Sequence, residues 1–531
     1  MSYESKGPDS DPTPSDNKYQ IPRPIVAPSG LEAPLSAHIG ATDVRKAPKG
    51  SDNPLHPKHF EQHVVMKLPE GPIGHPLTGK PIDPTEHQNQ TVFSSVIGAA
   101  IAGQNFCPLW RLIPIQEESG KIVLGVRTKF MENFGSLAEA ESKASERPKT
   151  ASTYNFDKLN DISVEALTEK QLPLFFALTK ALGNVDIPAR NVGHHGENLD
   201  DVGQHFFMSD VDHCGKYWNL TPQEIESPLY LNCPSSICLQ DPYHYLGKGK
   251  LVLPQEPNPE FFACEKRMAA HPNAIHQHFQ ALLAAVLLPD DWIESLPKKY
   301  LAEHTENFSL TESFKTHRSG SIEPGLMGSE KFKTALSDED IKRRWIQEIL
   351  FNCARLNVQE YRKEPSTPID LHLIIQKFND LCISMGMEIS KISDIEKNPL
   401  IKQAEIAAAH AFLRDKAIQY LSKLERKFLG KKLTGLPDQA LKILDLLKEP
   451  SVDWKTIQSE LAKTIGSKPL RRDSKTQAAY IALLNHINRV IPSISPPDDP
   501  SSQTIFHRPS TPTMAGGGGS RQSMKSEPPS P

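Results

Sequence analysis

The placement of proline constrains this chain more than any other feature of its sequence. Of the 46 prolines, 15 fall in residues 1–84 and nine in residues 492–531. Proline fixes φ and has no amide N–H, so helix interiors and central strands exclude it. Neither end shows sustained apolar periodicity, and both are expected to be extended or disordered. From Ser495 onward the chain mixes Pro and Ser with four glycines, Gly516 to Gly519. Such a segment buries too little apolar area to offset its ordering entropy. The folded mass is therefore expected between residues 88 and 492.

That interval is long enough for two domains. The 531 residues are 38% hydrophobic and 23% charged, with 60 Lys+Arg against 64 Asp+Glu. A net charge of -4 gives no global basic field, and no basic run interleaves with aromatics, so nucleic acid is not an expected partner. The longest apolar stretch, Val92 to Ala102, is shorter than the roughly 20 residues a bilayer requires, so no transmembrane segment is expected. The opening MSYESKGPDSDPTPSD has neither a basic nor an apolar signal region, so a cleaved secretory signal is not expected. The seven cysteines are odd in number and scattered, which fits reduced thiols.

Two runs lean towards β structure, Trp110–Ile115 and Lys121–Thr128, the second alternating Ile122, Leu124 and Val126. Leu172, Leu174, Phe175, Leu178 and Leu182 then recur at helical spacing, and Gly183 stands where a C-cap belongs. Beyond residue 260 the pattern is helical: 276–288, 338–364, 369–385, 399–429, 437–448, 453–465 and 476–490. The expectation is an α+β domain followed by a helical bundle.

Residues 182–215, LGNVDIPARNVGHHGENLDDVGQHFFMSDVDHCG, hold the densest collection of chemically capable side chains. Asp186 and Asn191 are separated by four residues, and a short apolar run, Phe206-Phe207-Met208, then delivers Asp210 and Asp212. This order suits phosphoryl transfer, which needs one carboxylate near the attacking hydroxyl and oxygen ligands on divalent cations that bridge the phosphates.

The run Leu182-Gly183-Asn184-Val185-Asp186, with Asn191-Val192-Gly193 and Val211-Asp212-His213, resembles the atypical kinase-like domains of secreted effectors of intracellular bacteria such as Legionella. The stretch Gly125 to Phe134 is similar to the phenylalanine-rich segment those effectors carry after an N-lobe strand. The resemblance covers about residues 90–300. It implies that Asp186 orients or deprotonates the acceptor, that Asn191 and Asp212, with Asp210 beside them, hold metal, and that Lys129 meets the nucleotide phosphates. It departs from the pattern at Asn184, where Asp is usual, and at Cys214, inserted before Gly215. A second register uses Asn198 in place of Asn191.

The expected architecture is then a small N-lobe of antiparallel strands with a helical C-lobe at 88–325, a helical domain at 326–492, and disordered ends at 1–87 and 493–531, the last carrying a secretion signal. The expected function is an ATP- and Mg-dependent phosphotransferase, with Mn as an alternative ion. Its acceptor would be a hydroxyl of a host protein or a phosphoinositide, in the host cytosol or at a cytosolic membrane face after export from the bacterial cytoplasm. Three other readings stay open. Asp210-Val211-Asp212 also fits a metal-dependent glycosyltransferase using a nucleotide sugar. His194, His195, Asp200, Asp201 and His213 offer metal-ligand types. An inactive scaffold would bind host partners through its helical half. Gly98 and Gly103 would either cover phosphates or serve helix packing.

Overall fold

The computed structural model describes residues 25–26, 42–47, 64–69, 73–74, 81–116, 122–129, 134–136, 162–184, 192–195, 205–208, 211, 214–215, 218 and 267–268. On the helical side it describes 271–302, 307–360, 367–387, 400–422, 424, 426–428, 431–434, 438–446, 454–467 and 475–494. The chain divides into two compact units, residues 1–452 and 453–531.

The strands of the first unit begin with β1 (Ile25–Val26), β2 (Thr42–Ala47) and β3 (Val64–Pro69), then the small hairpin of β4 (Ile73–Gly74) and β5 (Pro81–Ile82). The expected strands appear as β6 (Arg111–Gln116) and β7 (Ile122–Lys129), an antiparallel pair with Leu112 opposite Val126. Five strands join in the order β1-β6-β7-β3-β2, and only the β1–β6 pair is parallel. The expectation that residues 1–87 lack structure is thereby corrected. Val64-Val65-Met66-Lys67-Leu68 is a β-branched and apolar run lying between prolines, and its ladder closes the second edge of β7. Proline density at the ends hid this run, because it argues about the flanks of a strand and not about its interior.

The helix α1 (Pro84–Ala102) also starts before residue 88. Asp83 caps it, its Oδ1 accepting from the Thr85 N–H at 2.7 Å, and Pro84 fills the first position. It packs on β6, β7 and five helices of the same unit. Val92, Phe93, Val96, Ile97, Ala100 and Ile101 are buried, and so are His87 to Thr91, Ser94 and Ser95. A helix enclosed on all sides needs no apolar stripe, so the amphipathic pattern that marks surface helices is absent from its sequence. Its buried polar groups bond inward: Asn89 exchanges two hydrogen bonds with the backbone of Ala302 (3.0 and 3.2 Å), and Ser95 Oγ accepts from the Trp110 N–H (3.0 Å). Gly98 lies inside α1, where a Cβ would come within 2.5 Å of Cys107 Sγ. Its role is close packing, and Gly103 is the C-cap.

After β8 (Phe134–Ser136) come α2 (Val164–Glu169) and α3 (Leu172–Leu182), then the hairpin strands β9 (Val192–His195) and β10 (Phe206–Met208). The helical part holds α4 (Pro272–Leu287), α5 (Asp290–Tyr300), α6 (Asn307–His317), α7 (Glu323–Met327), α8 (Glu330–Ser337), α9 (Glu339–Glu360), α10 (Leu371–Ser384) and α11 (Leu400–Ser422). A π turn, Arg318–Ile322, joins α6 to α7, and buried Arg318 donates to Leu288 O while pairing with Asp290. The expected break at 325/326 does not separate two cores. Phe279 of α4 meets Phe332 of α8 at 5.2 Å between ring centroids, and Phe332 stacks on Trp345 of α9 at 5.9 Å. All three belong to the apolar cluster that begins at Val92.

The region beyond 326 is not purely helical. The expected helix 399–429 stops at Ser422, and β11 (Arg426–Phe428) pairs antiparallel with β12 (Lys431–Thr434) before α12 (Asp438–Leu446). Lys427 opposes Lys432 across that ladder. In the second unit α13 (Trp454–Ser467) packs with α14 (Lys475–Ile494) through Ile457, Leu461, Leu483 and Ile487, and Gln458 Nε2 donates to Asn488 Oδ1 at 2.7 Å. The chain is α+β with helix predominant. The expected tail beyond residue 494 lies outside the described residues.

Candidate active site

Helix α3 is buried along almost its whole length and ends where the sequence places its cap. Gly183 is left-handed (φ 58°, ψ 36°), and the Asn184 N–H returns to Thr179 O at 2.9 Å, the closing bond of a Schellman-type end. Asn184 is buried, and its Nδ2 donates to Met208 Sδ at 3.6 Å. The chain leaves this point towards Asp186.

It returns at Val192. Strand β9 pairs antiparallel with β10, with Val192 opposite Met208, Gly193 opposite Phe207 and His194 opposite Phe206. On its other edge β9 pairs with β8. Strand β10 is fixed from outside the hairpin as well: Phe206 N–H donates to Lys170 O (3.0 Å) and Met208 N–H to Phe106 O (2.8 Å). Beyond Met208, Val211 and Cys214 are both fully buried. The Cys214 N–H donates to Val211 O, and the Gly215 N–H donates to Leu182 O at 3.0 Å.

Two segments are thus anchored on one patch at both ends. Residues 185–191 run from Asn184 to Val192, and both of these lie against Met208. Residues 209–213 start from the same Met208 and finish at Cys214-Gly215, which is bonded to the last turn of α3. Asp186 and Asn191 sit in the first segment, Asp210 and Asp212 in or beside the second. These four side chains, and Asn198 of the alternative register, lie outside the described residues. Lys129 is not on this frame; its backbone closes β7 opposite Val64 of β3.

Beneath the frame sits Trp218, fully buried. Its ring meets Phe314 at 5.1 Å, Phe93 at 6.0 Å and His317 at 6.4 Å. It also covers the two glycines of the frame: a Cβ on Gly183 or on Gly215, whose φ is 76°, would come within 3.0 Å of the indole. The His317 Nε2–H donates to Lys180 O at 3.2 Å, and burial holds this imidazole down to about pKa 4, with the nearby Lys180 charge acting in the same direction. Gln90 of α1 donates from Nε2 to Cys214 O at 2.5 Å.

Sequence reasoning missed Gln90 and Trp218. The available signal was the uncharged polar run His87-Gln88-Asn89-Gln90-Thr91 leading into an apolar helix, since buried polar groups need partners elsewhere in the fold. Of the histidines considered as metal ligands, His194 is buried on β9; Asp200, Asp201 and His213 lie outside the described residues. Among the described residues no group of three or more His, Cys, Asp or Glu is arranged to hold a metal ion. Cys107, Cys353 and Cys382 are free thiols, and burial pushes Cys107 and Cys353 up to about 12. Fully buried Cys214 has the surroundings of a packing residue and not of a nucleophile.

No protein-family model matches the chain, and no curated protein matches it. Among the described residues no helix is long and apolar enough to cross a membrane.

Proposed function

We propose that the chain is an ATP- and Mg-dependent phosphotransferase of kinase-like architecture, with β6 and β7 in its small lobe. One observation carries this reading: the two segments bearing Asp186, Asn191, Asp210 and Asp212 begin and end on the same patch, formed by the end of α3, the β9–β10 hairpin and the Val211–Gly215 turn. The order is helix, Asp/Asn loop, hairpin, Asp turn, the order in which phosphoryl-transfer groups are delivered to one cleft in kinases.

Two carboxylates and a carboxamide form a hard oxygen donor set that suits Mg. Asn191 and Asp212, with Asp210, would hold the ion, which supplies neutralisation of charge on the β- and γ-phosphates. Asp186 takes the proton of the acceptor hydroxyl as that oxygen bonds to the γ-phosphorus. The bond from phosphorus to the β,γ-bridging oxygen breaks, and ADP leaves with the electron pair. Lys129 contributes charge at the phosphates. The buried frame under the loops supplies rigidity, on which catalysis by positioning depends. The acceptor is a hydroxyl of a host protein or a phosphoinositide, reached after export into a host cell.

The glycosyltransferase reading needs alternating strands and helices before Asp210-Val211-Asp212. The sheet before it is a largely antiparallel array in which β6 and β7 form a direct hairpin. Thermal unfolding with ATP, UDP-glucose or neither, each with and without Mg or Mn, tests the choice. ATP with Mg is expected to stabilise the wild type by about 2.7 kcal/mol at a hundredfold excess over Kd, a shift of a few degrees. Asp212→Ala abolishes that shift. Stabilisation by UDP-glucose and Mn alone would transfer the assignment to glycosyl transfer, and no stabilisation by either nucleotide would leave the scaffold reading.

A further inference from the structure

Leu288 is the C-cap of α4, so its carbonyl has no partner within that helix. Two cationic side chains from distant parts of the chain converge on this oxygen: Arg318 Nη1 of the π turn donates to it at 2.6 Å, and Lys377 Nζ of α10 donates to it at 3.3 Å. They also share a carboxylate. Asp290, at the start of α5, pairs with Arg318 and lies 3.5 Å from Lys377 Nζ. A guanidinium and an ammonium are thus held side by side, with one carbonyl and one carboxylate between them. Water screens the pair little, because the Arg318 side chain is 7% exposed. Short π segments joined to α-helices are frequent at functional sites, and this one places the buried arginine.

A like charge so close disfavours the protonated amine, and of the two residues it is the lysine that yields, since a guanidinium keeps its proton. Burial and the Arg318 charge hold Lys377 down to about 8, against the opposing pull of Glu323 on α7 and Asp291 on α5. The Lys377 side chain remains 28% exposed, so solutes reach it, whereas Arg318 is closed off. A lysine beside another cation is one of the ways in which an amine becomes a nucleophile near neutral pH. We propose that Lys377 is an acyl-acceptor site, modified by acyl thioesters, and that Arg318 is the group that activates it. The neutral Nζ attacks the thioester carbonyl carbon. A carbon–nitrogen bond forms and the carbon–sulfur bond breaks; the thiolate leaves with that electron pair and takes up the proton that the nitrogen sheds. The product amide keeps one N–H for Leu288 O, loses the charge that faces Arg318 and leaves Asp290 to the guanidinium alone. This site does not depend on the phosphotransferase reading, and its failure would leave that reading untouched.

The test is acetylation of the full-length protein by acetyl-coenzyme A, with the rate at each lysine followed by peptide mass spectrometry from about pH 6.5 to about pH 9.5. Lys298 and Lys331, both exposed and in the same unit, are the references. At about pH 7.5 an amine with a pKa of about 8 is roughly one-quarter neutral, against about 0.1% for an ordinary lysine. A less basic atom is also a weaker nucleophile, as among thiols, so the expected advantage of Lys377 is about tenfold or more and not the full ratio of neutral fractions. Its rate should level off above about pH 8, while those of Lys298 and Lys331 continue to rise. Arg318→Gln removes the charge and should slow Lys377 about fivefold or more, with the references within about twofold of wild type. Arg318→Lys keeps the charge and should restore at least half of the rate. A Lys377 rate no greater than the references, a pH profile parallel to theirs, or an unchanged rate in Arg318→Gln would overturn the assignment. Should the Arg318 variants not fold, the wild-type rate and pH profile decide the matter by the same criteria.

Discussion

Trp218→Ala is expected to destabilise the first unit by about 3–5 kcal/mol, the range for removing a large aromatic from a core. Three features put it at the upper end of mutational effects. The indole is 1% exposed, it bridges Phe93 of α1 to Phe314 and His317 of α6, and it lies against two glycines that have no side chains to collapse into the space it would vacate. The hole would therefore persist, and persistence is what raises the energy of a cavity. Trp218→Phe should be milder, because a ring remains and the indole Nε1–H, which reaches no acceptor among the described residues, is removed with the substitution. Urea unfolding followed by circular dichroism measures both. A Trp218→Ala loss below about 1 kcal/mol would show that the frame does not rest on this ring.

Acid should destabilise the protein before its carboxylates are protonated. Burial, with Lys180 nearby, holds His278 down to about 3; burial also holds His317 down to about 4, partly opposed by its bond to Lys180 O. In the unfolded chain both imidazoles take up a proton near pH 6.5. Between that value and the folded values the unfolded state binds more protons, so stability falls as pH falls, by up to about 1.4 kcal/mol per pH unit for each histidine. The contribution is complete above pH 6.5 and is lost progressively below it. From pH 7 to pH 5 the two together remove on the order of 4 kcal/mol. Urea midpoints at pH 7, 6 and 5 read this directly. His317→Phe should flatten the profile by about one proton's share, and a flat wild-type profile over that range would contradict the buried, neutral state of both rings.

The elements legible in the sequence were those with a regular apolar period and a recognisable end. Helix α3 announced itself through its leucine and phenylalanine spacing and its Gly183 cap, and β7 through the alternation of Ile122, Leu124 and Val126. Helix α1 was not legible because its buried surface includes the polar run His87 to Thr91 with Ser94 and Ser95, which breaks any apolar period, and β2 and β3 were hidden by prolines that flank them. The break expected at 325/326 failed for a related reason. Amphipathic helices on either side show the same stripe whether they enclose one core or two, and here Phe279, Phe332 and Trp345 join them.

For the site, residue types marked the loops, whereas the frame beneath them could not be read. Gln90 to Cys214, Gly215 to Leu182 and Trp218 to Phe314 are pairings between residues distant in sequence, and no local pattern encodes their partners. Asn184 illustrates the difference. As a sequence position it is a departure from the kinase-like pattern; in the fold its side chain is buried and bonded to Met208, which ties the start of the Asp186 segment to the hairpin.

The central claim is that the Asp186–Asn191 and Asp210–Asp212 segments serve one cation site. A double-mutant cycle on Mn binding at saturating ATP tests it most directly, using Asn191→Ala, Asp212→Ala and the combination. Ligands of one ion are coupled, so each single variant should weaken binding strongly and the double variant should fall short of the sum by more than about 1 kcal/mol. Additive losses, or a single variant that binds Mn as the wild type does, would show that the two segments do not share an ion and would contradict the account.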